Sequence, residues 1–159
     1  MKLIALFLCV VAIATVGCKG APSQSNLVGK WKGEVKMPAT TKDDPMAKMG
    51  EAMLGMFTFD LELKAENKFT LTMVFIPIEG EWSMSGNVVT LTPKTVMGLT
   101  PDEFAKEQAK QKNNTTSKTE DMRKPIRLEV QADGKSMKAL DDLGGQKSQG
   151  DLIFTKQGF

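Results

Sequence analysis

Eleven methionines, two cysteines and no histidine set the chemistry open to this 159-residue chain. Four of the methionines, Met46, Met49, Met53 and Met56, lie in "PMAKMGEAMLGM" as two M-x-x-M pairs. Thioether sulfur suits Cu(I), so two or three of these side chains could converge on that ion. The competing uses are a membrane-facing surface, which would call for more basic residues opposite than Lys48 alone, and apolar packing, which methionine does well because it is flexible and polarizable. The lack of histidine removes the commonest metal ligand and the commonest general base. Packing is therefore preferred over copper, and no metal site is expected. Ser-His-Asp and Cys-His machinery is excluded for the same reason. Adjacent acids occur at Asp43-Asp44, Glu120-Asp121 and Asp141-Asp142. Each pair sits in a polar connection, where a solvated turn or a helix cap is expected rather than a carboxylate dyad. No Walker pattern or calcium-loop spacing is present. The expectation is a protein that is not an enzyme and needs no cofactor.

The elements around these residues follow from hydrophobic period. "LVGKWKGEVKM" alternates, with Leu27, Gly29, Trp31, Gly33, Val35 and Met37 on one face and Lys30, Lys32, Glu34 and Lys36 on the other. "FTFDLELK" turns Phe57, Phe59, Leu61 and Leu63 inward, and "KFTLTMVF" does the same with Phe69, Leu71, Met73 and Phe75. The link "AEN" between them reads as a hairpin turn. "EGEWSMS" continues with Gly80, Trp82 and Met84, Gly86-Asn87 suits a two-residue turn, and "VVTLT" follows. "IRLEVQA", the Asp133-Gly134 turn, "KSMKAL" and "GDLIFTK" complete about eight antiparallel strands, each apolar on one face. Closed into a barrel, such a sheet has no edges to protect.

Two segments read as short helices. Thr100 can cap, Pro101 can take the first helical position and Glu103 can reach back, which opens a polar helix over "PDEFAKEQAKQK". Asp44 and Pro45 open the other. At 100° per residue its four methionines and Phe57 fall within an arc of about 100°. Gly50 and Gly55 weaken that helix by about 1 kcal/mol each relative to alanine, so it needs an apolar surface beneath it.

The N-terminus carries an address. Lys2 precedes an apolar run over residues 3–16, too short to cross a bilayer core, which takes about 20 residues. The run ends at Thr15-Val16-Gly17-Cys18, which resembles the lipobox of bacterial lipoproteins. That resemblance implies a signal peptide over 1–17, cleavage before Cys18 and lipidation of Cys18 with diacylglycerol and palmitate. It also implies a mature protein anchored to the cell envelope, in the periplasm. Lys19 rather than aspartate follows the cysteine, which in enteric-type bacteria favours the outer membrane. Ala12-Ile13-Ala14 is a rival site for ordinary secretion. "KGAPSQSN" then reads as a lipidated tether over 18–26. Cleavage removes Cys9 and lowers the formal net charge from +2 to +1 through loss of Lys2. That is no nucleic-acid signature. Residues 27–159 suit one domain, which needs no disulfide.

Gly29-x-Trp31 at the head of the first strand resembles the opening motif of the lipocalins, and "EGEWSMSGNVVTLTP" resembles a hairpin of lipocalin-like envelope proteins. The resemblance implies a lipocalin-like barrel of eight strands, with Trp31 closing one end and Lys156 standing where an arginine packs over that tryptophan. The lipocalin Thr-Asp-Tyr motif and C-terminal helix have no counterpart. The methionine segment lies where fatty-acid-binding proteins carry a helical lid. The implied function is binding of a small apolar ligand by Phe57, Phe59, Leu61, Phe69, Leu71, Met73, Phe75 and Met84, beneath a lid of Met46, Met49, Met53 and Met56. An alternative is an envelope module with a filled core that acts on a protein partner through its surface.

Overall fold

The computed structural model describes residues 23–36, 58–110, 122–141 and 150–158. Met46, Met49, Met53, Met56, Phe57 and Cys18 lie outside these. The chain is mainly β, as expected. Its strands are β1 (Gly29–Lys36), β2 (Phe59–Leu63), β3 (Lys68–Met73), β4 (Ile76–Ser85), β5 (Val88–Val96), β6 (Ile126–Val130), β7 (Ser136–Ala139) and β8 (Asp151–Lys156). Every strand pairs antiparallel with its sequence neighbour, and β1 pairs with β8 to close the barrel. Two short helices accompany it, α1 (Gln24–Leu27) and α2 (Pro101–Lys110).

Alternation does what period two requires. Trp31, Leu61, Leu63, Phe69, Leu71, Trp82, Val89, Leu91, Leu128, Met137 and Phe154 are buried together in one core. In the register, Leu61 faces Leu71 and Leu63 faces Phe69. α2 starts as its sequence demands. Glu103 N–H donates to Thr100 Oγ1 at 3.3 Å, and Thr100 N–H donates to Glu103 Oε2 at 2.9 Å. This is the reciprocal capping arrangement. The hydrogen bonds from Thr100 hold the Glu103 carboxyl below its usual range. Phe104 is the buried side chain that fixes the helix to the body.

Three features depart from expectation. First, Gln24–Leu27 is helical, where the sequence reads as tether over residues 24–26 and as strand at Leu27; Leu27 is buried, as its place on the inward face implied. Second, β4 begins at Ile76 and β5 runs on to Val96, longer than the alternating runs suggested. Pro93, which lacks an N–H to offer a ladder, sits beside a bulge where Glu79 pairs with Thr95 but Gly80 with Pro93.

The third concerns Phe75. β3 stops at Met73, which faces Ile76 across a two-residue turn of Val74 and Phe75. Phe75 is therefore not on the inward face; it is 88% exposed. The turn carried no Gly or Asn to mark it. Val74 adopts φ +60°, where a β-branched residue is strained. Val74→Gly should therefore raise stability by about 1 kcal/mol, read as a higher urea midpoint at unchanged slope.

Candidate functional site

The two ends of the barrel differ. At one, α1 acts as a cap. Trp31 Nε1 donates to the Leu27 carbonyl at 2.9 Å, Lys156 Nζ donates to the Asn26 carbonyl, and Lys156 Nζ lies 5.6 Å from the centroid of the Trp31 ring. Lys156 thus occupies the place that the opening motif implied for a cation over the tryptophan. Gly29 has φ +134°, a region open to glycine but not to other residues, so the Gly-x-Trp spacing has a backbone reason. The hairpin turns here are laced together: Trp82 N–H donates to Asn67 O, Val130 N–H to Asn87 O, and Lys156 N–H to Lys135 O.

We call the opposite end, which carries the β3–β4 turn, the mouth. Several inward side chains are less deeply buried there, but not all: Ile126 (7% exposed) and Leu152 (6%) remain in the core, and Val96 of β5 is fully buried. Val35, Phe59, Met73 and Ile76 pack against the core but remain partly exposed. Around the rim stand Phe75, Met97, Leu99 and Leu140, the large apolar side chains that are exposed among the described residues. Phe75 lies in the β3–β4 turn. Met97 and Leu99 follow β5, where Val96 and Leu99 exchange both backbone hydrogen bonds. Met97 has φ +53°. Together with Val74 this puts two apolar residues in unfavourable backbone conformations at one rim. Beside Leu140, Arg127 holds Asp141 through Nε (3.0 Å) and Nη2 (2.7 Å), and these bonds keep the Asp141 carboxyl below its usual range. That acid is thus occupied in a surface ion pair.

The eight residues expected to line a pocket do not fall in one place. Leu61, Phe69 and Leu71 are sealed in the core. Phe59 and Met73 face each other near the mouth. Met84, paired with Val89 next to the Gly86-Asn87 turn, lies toward the capped end. Phe75 stands on the rim, and Phe57 is outside the described residues. Val35 was placed on the inward face but not in the pocket, and Ile76, Met97, Leu99 and Leu140 carried no signal that singled them out from sequence. The alternation that marks a residue as inward does not say how near it lies to either end of the barrel.

A polar groove of about 380 Å³ lies near the capped end, lined by Glu66, Asn67, Lys68, Glu81, Ser83, Thr92 and the edge of Trp82. It shares no residue with the expected pocket. Among the described residues no group of three His, Cys, Asp or Glu side chains could hold a metal ion, and no helix is long and apolar enough to cross a membrane. Comparison with protein-family models and with curated proteins found no match.

Proposed function

We propose that this protein is a lipid-anchored lipoprotein of the bacterial cell envelope, probing for a small apolar ligand at the mouth of its barrel rather than catalysing a reaction. The observation that supports binding is the accessibility of apolar inward side chains at one end, with an apolar rim around them. Eight strands enclose enough room for side chains or for one small ligand. The sealed positions Leu61, Phe69 and Leu71 leave the mouth, with Phe59, Met73, Val35 and Ile76, as the place for an acyl chain or a lipid fragment. The lipobox-like run before Cys18 supports the anchor. Two acyl chains hold a protein firmly where one does not.

Two measurements test the reading. Cys18→Ser should move the protein from the detergent phase to the aqueous phase and abolish palmitate labelling; unchanged partition would refute the anchor. Delipidated protein should enhance a fluorescent fatty-acid probe. Phe59→Asp with Met73→Asp should remove that enhancement while the circular dichroism of the barrel is kept. Absence of any enhancement in the wild type favours the second reading. This is a surface-acting envelope module, supported by the fully buried core positions and by the exposed Phe75, Met97, Leu99 and Leu140, which would then meet a protein partner.

A further inference from the structure

We infer that the capped end of the barrel is the surface that lies against lipid headgroups, so that the apolar mouth points away from the membrane that holds the protein. The inference rests on the proposed anchor at Cys18. It follows from where the chain joins the barrel. Leu27 is fully buried, its carbonyl accepts from Trp31 Nε1, and the neighbouring Asn26 carbonyl accepts from Lys156. Ser23, just before α1, is thereby fixed at the capped end. Cys18 is five residues earlier. At full extension those residues reach about 18 Å.

The barrel is longer than that. β1, which the tether joins, has 8 residues and β4 has 10. At about 3.3 Å per residue and a tilt of about 40°, the wall stands about 20 Å high along β1 and about 25 Å along β4. A lipid on Cys18 can therefore lie in the bilayer beneath the capped end, but not with the mouth pressed into the same bilayer. The turns of the capped end are polar and evenly charged: Lys64 lies 4.0 Å from Glu62, Lys68 lies 3.5 Å from Glu66, and Lys135 shares its turn with Asp133, whose carboxylate accepts from that turn's backbone. Such a surface suits a headgroup layer, and among the described residues it exposes no large apolar side chain. The exposed Phe75, Met97, Leu99 and Leu140 are all at the other end. A ligand would then enter from the aqueous compartment, not sideways from the anchoring leaflet.

Cysteine chemistry makes the orientation measurable. Cys9 leaves with the signal and the proposed anchor blocks the Cys18 sulfur as a diacylglyceryl thioether, so one introduced thiol is the sole site for a fluorophore. The full lipoprotein carrying Ala65→Cys or Ala132→Cys reports on the capped end, and Phe75→Cys or Leu140→Cys reports on the mouth. Each is labelled and reconstituted into phosphatidylglycerol-containing vesicles with a quencher on the headgroup. Quenching should be several-fold stronger for the capped-end labels. Equal quenching would mean a barrel lying on its side, and stronger quenching at the mouth would mean the reverse orientation; both overturn the inference and leave the anchor intact. Protein that fails to float with the vesicles would refute the anchor, and this inference with it.

Discussion

Trp31→Ala should lower the folding free energy by about 4 kcal/mol, the range for removing a large aromatic from a core. Trp31 is 1% exposed and meets three parts of the chain at once. Its ring packs in the core, its indole N–H holds the Leu27 carbonyl, and Lys156 lies over its face. Truncation leaves a cavity and also releases α1. Urea unfolding should show the full loss, and limited proteolysis should cut near residues 23–28 while the rest of the barrel stays resistant. Trp31→Phe separates the two effects. It keeps most of the ring and forfeits the hydrogen bond, so a loss of about 1–2 kcal/mol is expected. Equal losses for Phe and Ala would show that the indole N–H, not the ring volume, carries the site.

Gly80→Ala should destabilise by about 3 kcal/mol, through overpacking rather than a cavity. A methyl group there would stand 2.1 Å from the Thr92 carbonyl oxygen and 2.8 Å from Cε1 of Phe69. The ring can turn aside; the carbonyl belongs to β5 and cannot move without disturbing the bulge opposite Glu79 and Gly80. Glycine is required here because two backbones approach closely. Phe69→Leu added to Gly80→Ala should therefore restore little. Recovery to near wild-type stability in the double variant would place the clash at the ring and refute the backbone explanation. Thermal unfolding of the two single variants and the double variant reads this directly.

Much of the barrel was legible because one signal repeats. Alternation in "LVGKWKGEVKM", "KFTLTMVF" and "IRLEVQA" assigned the buried face of β1, β3 and β6, and the Gly86-Asn87 and Asp133-Gly134 turns marked two hairpins. The β3–β4 turn was not legible, because Val74 and Phe75 carry no turn signal. The alternation therefore ran one step too far and sent Phe75 inward. The extensions of β4 and β5 were missed for a related reason: a proline in β5 and a bulge opposite it interrupt the simple period. α2 was legible from Thr100, Pro101 and Glu103, whose side chains and backbone satisfy one another within a few residues.

The candidate site was less legible than the fold. Taken alone, the sequence determined which side chains point inward, where most hairpins turn, and that histidine chemistry is unavailable. Those are local properties, set by the geometry of a strand or a turn. Only the tertiary structure decided that β1 closes onto β8, which turns meet at one end, and that Phe59 and Met73 are half-buried toward one end while Leu61, Phe69 and Leu71 are sealed. The depth of an inward residue depends on strand tilt and on partners far away in the chain, and no short window of sequence contains either.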